Sequence, residues 1–227
     1  MKLTYYGHAC FAVETQGQRL LFDPFISPNE LAKDIVIDNI KADYILLSHG
    51  HGDHMADALQ IAANNNATII ACYEICSWYA EKHNYAKGHP MNLGGTRDFE
   101  FGTVKFVNAV HSSVLPDGTY GGNPGGFVVK NNEGAFYYAG DTALTMDMQL
   151  IPRHATLDFA VLPIGDNFTM GVDDAVVAAQ MIGCKRIVGV HYDTFGYIKI
   201  DRQKAVEKFA QAGCQLLLPD IGSSIDL

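Results

Sequence analysis

Seven consecutive residues, Ser48-His49-Gly50-His51-Gly52-Asp53-His54, set three imidazoles and a carboxylate directly behind the apolar run Tyr44-Ile45-Leu46-Leu47. Packing so many costly polar groups beside a buried strand makes sense only if something there binds them. Imidazole nitrogen with carboxylate oxygen suits divalent first-row cations, zinc (Zn2+) foremost, with Mn2+ and Fe2+ as alternatives. Gly50 and Gly52 are expected to adopt positive φ, so that the chain curls until neighbouring side chains face one point. The bland alternative is a solvated His-rich loop, which rarely follows a buried strand so abruptly. Any fold for this chain must therefore hold a strand whose end opens on a polar pocket.

At 227 residues and 48% hydrophobic, the chain is long enough for a sizeable core, and one domain over residues 1–227 is expected. No apolar run approaches the roughly 18 residues of a membrane span, and the N-terminus enters a strand-like pattern without a signal-peptide core. A soluble, cytoplasmic protein with no membrane partner follows as the expectation. The formal net charge of −9, from 16 basic against 25 acidic side chains, argues against a phosphate backbone as partner, since no Lys/Arg cluster overrides it. Five cysteines, an odd number without a CxxC pair, read as buried small hydrophobes in a reducing compartment. Cys72 and Cys76 alone make a poor soft-metal site. Oligomeric state is not written in the sequence, and a homo-oligomer, by default a dimer, is compatible with it.

Along the chain, 9–15 and 19–23 read as a β-hairpin joined by Gln16-Gly17-Gln18. Asp57 is placed to cap a helix through Asn65, 68–71 reads as a short buried strand, and 74–83 as an amphipathic helix. Strands return from Met91 to His111. A second hairpin pairs 127–130 with 135–138, and a helix follows near 147–154. A buried strand over 157–164, a helix over 173–182 capped by Asp173 or Asp174, and a strand over 186–190 continue the alternation. Asp201 caps a helix through Ala212, Gly213 stops it, and 215–218 forms a last strand. Hairpins first and helices later suggest two mixed sheets packed face to face with helices outside, an α+β architecture.

His111 follows Phe106-Val107-Asn108-Ala109-Val110, Asp141 follows Phe136-Tyr137-Tyr138-Ala139-Gly140, and His191 follows Arg186-Ile187-Val188-Gly189-Val190. With His49, these place polar side chains at the C-terminal ends of four separate apolar strands, where a sheet edge can converge them. A lone histidine at a strand end is more often structural, but the opening cluster leaves coordination positions to fill. The order HxHxDH, later His, Gly-Asp, final His resembles the metallo-β-lactamase-fold superfamily nearly end to end. Gly7-His8-Ala9, Asp23-Pro24 and His191-Tyr192-Asp193-Thr194-Phe195 are most similar to the uncharacterised metal-dependent hydrolases near the ascorbate-phosphate lactonases.

That resemblance implies a four-layer αββα sandwich with two divalent metal ions in a groove at one edge. It assigns His49, His51 and His111 to the first metal, Asp53, His54 and His191 to the second, and Asp141 as a bridge. Two ions about 3.5–4 Å apart can share a hydroxide whose pKa falls to about 7. Asp53, besides ligating, is then the catalytic proton acceptor and later donor. Asp23, Ser48 and Thr142 are candidates to hold the ligand imidazoles through their other ring nitrogen. His8 is expected beside the metals or in a buried structural role. Asp166, Asn167, Tyr192, Thr194 and Phe195 are expected to face the groove, Lys199 to meet an anionic substrate or be solvated, and His83, His89 and His154 to stay outside the site. The Gly-rich stretch 118–126 reads as a loop that can form a wall or lid, without the Lys-Ser/Thr of a P-loop.

The resulting expectation is a metal-dependent hydrolase using a metal-bridging hydroxide on a small-molecule ester, lactone, thioester or phosphoester. The alternatives are a phosphodiesterase or ribonuclease of the same fold, which an acidic compact chain does not favour, and an iron redox enzyme, which wants more carboxylate ligands and a flavin domain. A non-catalytic metal-binding scaffold is the reading from a different class, although closed structural sites favour four Cys/His ligands over a shared seven.

Overall fold

The computed structural model describes residues 1–227. The first sheet contains β1 (Lys2–Gly7), β2 (Cys10–Thr15), β3 (Gln18–Phe22), β4 (Tyr44–Leu46), β5 (Thr68–Cys72) and β6 (Gly88–Met91). Helices α1 (Gly52–Met55), α2 (Ala58–Asn65) and α3 (Tyr73–His83) interrupt this half. The second sheet contains β7 (Thr96–Phe99), β8 (Gly102–Asn108), β9 (Gly125–Asn131), β10 (Gly134–Tyr138), β11 (Phe159–Pro163), β12 (Arg186–Val190) and β13 (Gln215–Leu217), with α4 (Val172–Met181) and α5 (Arg202–Gln211) between its later strands. The chain returns as β14 (Ser224–Asp226) to the outer side of β1, giving orders β14-β1-β2-β3-β4-β5-β6 and β13-β12-β11-β10-β9-β8-β7.

Each sheet begins as an antiparallel meander and ends as a parallel run, β3 to β6 and β10 to β13. The alternation has a consequence for the site. Because β2 opposes both β1 and β3, the strands β1, β3 and β4 all point one way; because β9 opposes both β8 and β10, so do β8, β10 and β12. Side chains just beyond the C-terminal ends of these six strands share an edge of their sheet.

Period-two burial builds the layers. Phe136 and Tyr138 face the inter-sheet core while Tyr137 faces the helices of the second sheet. Phe11 stacks on Phe22 at 4.6 Å between ring centroids, and Phe22 meets the edge of Phe136 at 5.8 Å, so aromatic rings join the sheets across the middle. Ile61, Ala62, Ile75 and Tyr79 extend that core under α2 and α3. Ala175, Ala178, Ala179 and Phe209 close the other face under α4 and α5. These are the four layers of an αββα sandwich.

Several elements differ from the sequence expectation. The segment after Thr145 is a 3₁₀ helix, Met146–Arg153, since Pro152 lies inside it and cannot donate to an α ladder. Gly171 takes the N-cap of α4, leaving Asp173 and Asp174 in the first turn. Asp57 precedes α2 without capping it: its carboxylate accepts the amides of Ile26 and Ser27 instead, at 2.6 and 2.9 Å. Asp201 does cap α5, accepting from the Lys204 amide. The strand β14, short and half polar, was not anticipated. No helix is long and apolar enough to cross a membrane.

Candidate metal centre

His8, Asp23 and His191 directly follow β1, β3 and β12, while His49, His111 and Asp141 lie a short step past β4, β8 and β10. The β4 turn then runs into α1, so Asp53 and His54 come from the first turn of a helix. Neither Gly50 nor Gly52 has positive φ, contrary to expectation. A Cβ at Gly50 would press against Leu115 and Ser113, and Gly52 opens α1 with free space around it. The unusual backbone lies elsewhere: His8 at φ +53°, Asp23 at +40° and His191 at +57° occupy the left-handed region that non-glycine residues rarely enter. Gly140 takes φ +64° and abuts Ser48, where a Cβ would come within 2.8 Å of the serine's own, so only glycine lets Asp141 approach the β4 turn.

All seven expected ligand side chains meet. The donor atoms of His49, His51 and His111 form one group. Those of Asp53, His54 and His191, joined by His8, form a second. Asp141 Oδ2 lies between them, 3.1 Å from His54 Nε2, 3.0 Å from His191 Nε2 and 3.6 Å from His111 Nε2. His49, His54, Asp141 and His191 are buried, and His51, Asp53 and His111 are half-buried.

Asp23 decides which imidazole nitrogens point into this cluster. Its Oδ1 accepts the Ser48 amide at 2.8 Å, and its Oδ2 accepts the Ser48 and Tyr138 hydroxyls and the His54 Nδ1–H, the last at 2.9 Å. With its proton given to Asp23, Ser48 Oγ accepts from His49 Nδ1–H at 2.9 Å. Both imidazoles therefore turn Nε2 inward, as a lone pair on His49 and as an atom that can exchange its proton for a cation on His54. His49 Nε2 then faces His51 Nδ1 at 2.9 Å, and His54 Nε2 faces Asp141 Oδ2 with no hydrogen-bond partner. Asp141 Oδ1 is likewise buried without a partner. Acceptors converging on acceptors in a buried pocket call for cations, so this donor set fits metal ions.

The electrostatics agree. Burial holds His49 well below the ordinary imidazole range, so it is neutral and available as a ligand. Burial also opposes charge on His54, yet the Asp141 and Asp23 carboxylates overcome it and raise His54 well above that range. Asp141 stays ionised despite its burial because His54 and His191 surround it. For Asp53, too, burial opposes ionisation, but a hydrogen bond from His8 and the charge on His54 hold the carboxyl below its usual range. The pocket demands positive charge, which a proton supplies singly and a divalent ion doubly.

Other expected positions divide. Asp23 and Ser48 hold ligand imidazoles as foreseen, but Thr142 does not: its Oγ1 accepts the Val110 amide and donates to the Ala143 carbonyl, steadying the approach to His111. His8 does lie beside the cluster, 3.2 Å from Asp53. Thr194 and Phe195 reach the site through His8, whereas Tyr192 turns away to stack on Tyr5. Asp166 and Lys199 line a separate groove between α4 and α5, and Asp166 Oδ1 is spent on the Asn167 amide. His83 packs on Trp78 and His89 on Phe99, while His154 lines a pocket with Leu150 and Ile151; all lie outside the cluster. The Gly-rich loop is a tethered wall: Trp78 Nε1 donates to Asp117 at 2.8 Å, Cys72 Sγ to the Gly121 carbonyl, and Gly50 N to Ser113 Oγ. Tyr138 and Phe25 were missed as supports of the site, since each reads in sequence as an ordinary core aromatic.

A four-layer αββα sandwich whose strand ends deliver HxHxDH, His, Asp and His to one pocket defines the metallo-β-lactamase class. The profile of the beta-lactamase superfamily domain matches residues 18–192. The chain belongs to the UPF0173 metal-dependent hydrolase family within that superfamily, being 56% identical to such a protein from Christiangramia forsetii over 100% of both chains. Among solved structures, Igni18, a metallo hydrolase from Ignicoccus hospitalis, is similar at TM-score 0.87 and 31% identity, covering 99% of this chain and 97% of that one. An isothiocyanate hydrolase from Delia radicum gut bacteria shares the fold at TM-score 0.77 and 20% identity, over 100% and 99% of the two chains.

Proposed function

We propose that this protein is a dinuclear zinc hydrolase acting on a small ester, lactone or thioester. The observation that carries the proposal is the position of Asp141 Oδ2, within 3.0–3.6 Å of imidazoles from both ligand groups, where one carboxylate oxygen can serve two ions. His49, His51 and His111 would hold one ion and Asp53, His54 and His191 the other. When bound, such a pair lowers the pKa of water to about 7 and polarises a substrate oxygen.

The chain's own groups supply the remainder. Asp53, ionised and with its side chain still 29% exposed, takes the proton of the attacking water and returns it to the leaving oxygen or sulfur. Asp23, through Ser48 and directly, holds His49 and His54 in their inward tautomers while this happens. Phe195, 37% exposed and packed on His8 and Phe25, offers an apolar wall for the acyl part of a substrate. No lysine or arginine forms an ion pair with any residue of the cluster, and the exposed apolar ring of Phe195 suits an acyl group better than a charged phosphoryl one. That favours the acyl compounds over phosphoesters and over the nuclease reading.

The test is a panel of lactones, aryl esters, thioesters, phosphodiesters and short RNA, run on zinc-loaded protein of measured metal content. Two zinc ions per chain and turnover of acyl substrates are expected, with Asp53→Ala reducing kcat by about 10²–10⁴ while the fold survives. Faster cleavage of RNA or phosphodiesters would overturn the substrate class. No turnover in either form across the panel would leave the binding scaffold as the better account.

A further inference from the structure

We propose that His8 is a positioning residue for Asp53, donating its Nε2–H to the carboxylate, and that Thr194 holds the tautomer that makes this possible. The inference rests on the reading of Asp53 as ligand and proton carrier, but its evidence is separate. His8 Nε2 lies 3.2 Å from Asp53 Oδ2, and no other side chain or amide of the protein hydrogen-bonds that carboxylate. Asp53 follows the freely surrounded Gly52 in the first turn of a four-residue helix. Without His8, no hydrogen bond within the chain would choose its rotamer.

The tautomer follows from Asp53 and Thr194 together. The Thr194 hydroxyl has one proton and two acceptors in reach, His8 Nδ1 at 2.9 Å and the Tyr192 carbonyl at 3.4 Å. The Asp53 carboxylate can only accept, so the one ring hydrogen of a His8 kept neutral by burial resides on Nε2, and Nδ1 is left to accept the Thr194 proton at the shorter of its two contacts.

The His8 backbone is built for this task. At φ +53° it sits where an imidazole-bearing residue is seldom found. Two donors hold its carbonyl there: the Tyr5 hydroxyl at 3.0 Å and the amide of the ligand His191 at 2.8 Å. The ring is boxed by His191 at 4.2 Å, Phe195 at 5.3 Å and Phe25 at 5.4 Å between centroids, and its side chain is 0% exposed. A histidine kept only to fill space needs neither the strained backbone nor the hydroxyl aimed at its second nitrogen.

Two pairs of variants test this. His8→Phe keeps a flat ring against Phe25 and Phe195 but removes both nitrogens, and His8→Gln retains a donor. Thr194→Val removes the hydroxyl proton, and Thr194→Ser restores it. Each is titrated with Zn2+ alone against a competing chelator and with Co2+, whose d–d spectrum reports the geometry of the ion held by Asp53. His8→Phe is expected to weaken one of the two zinc sites by about 10–100-fold and shift the Co2+ spectrum, with His8→Gln recovering part of both. Thr194→Val is expected to weaken the same site by about 3–10-fold, and Thr194→Ser to match the parent protein. Unchanged affinity and spectrum in both His8→Phe and Thr194→Val overturn the proposal, and if His8→Phe does not fold, the Thr194 pair alone decides it. A parent protein that binds fewer than two zinc ions refutes the dinuclear reading instead.

Discussion

The inter-sheet core and the floor of the polar pocket at its edge are both buried, yet they are held together in opposite ways. Phe22, in the core, is 0% exposed and contacts rings from both sheets; Asp23, the next residue, is also 0% exposed and accepts four hydrogen bonds. In the core, burial keeps acids neutral, pushing the Cys72 and Cys76 thiols up to about 12. At the edge, the same burial is overruled by neighbouring imidazoles, and Asp141 stays ionised. Burial by itself therefore does not determine charge; the partners placed around the buried group do. Apolar contacts are complete within the chain, whereas the polar pocket has lone pairs left over, and those are what a cation completes.

The largest effect is expected from Asp23→Ala. It removes the acceptor shared by Ser48, Tyr138 and His54, and should cost about 3–5 kcal/mol while weakening zinc binding by about 10–100-fold. Retention of full zinc affinity with an ordinary Tm would show that the pocket does not depend on this hub. Phe136→Ala should cost a similar ~3–5 kcal/mol in denaturant unfolding, but leave the zinc affinity of the folded protein unaltered. If affinity fell in proportion, core and pocket would be one energetic unit and the contrast would fail.

Stripping the metals should separate the regions differently. At free zinc 100-fold above Kd, loss of the ions is expected to remove about 2.7 kcal/mol of stability per site, read as a lower Tm after chelation. Hydrogen exchange should then rise at residues 48–54, 141 and 191 and remain slow in β2, β3 and β10. A uniform rise would contradict the distinction. Trp78→Phe, which cuts the tether to Asp117, should cost only about 1 kcal/mol and speed proteolysis within the 112–124 loop. An unchanged cleavage rate would mean the other tethers suffice.

The smallest change concerns the core thiols. Nucleophilic attack needs the thiolate, and with values near 12 only about one in ten thousand of the Cys72 and Cys76 thiols is ionised at pH 8. Both should resist iodoacetamide in the native protein and react on unfolding, as mass spectrometry would show. The sign for stability is fixed by the same shift. The unfolded thiol ionises near its ordinary value, so stability is lost as pH rises above about 9 and continues to fall toward 12. Rapid native labelling at either position would place that cysteine outside the core.

Much of the site was legible because its candidate ligands obey a local rule. His49, His51, Asp53 and His54 occupy one turn, and His111, Asp141 and His191 each end an apolar run that reads as a strand. The supports were harder to see. Asp23 was named as a support only through the resemblance, because its hold on His54 runs from the end of β3 to α1, which the pairing of β3 with β4 brings together. Tyr138 reaches Asp23 from the other sheet entirely. Gly50 and Gly52 misled for the opposite reason: glycine beside a metal motif suggests positive φ, whereas here the strain is carried by His8, Asp23 and His191.

Residue order alone determined the alternation of strands and helices, the apolar faces, and which side chains carry coordinating atoms, because periodicity and residue chemistry are local properties. Tertiary structure decided which nitrogen of each imidazole faces inward, that Asp141 lies between two histidine groups, and that His8 reaches Asp53. Those outcomes depend on distances between residues far apart in the chain, and such distances exist only once the meanders orient six strand ends toward one edge and the two sheets close on each other.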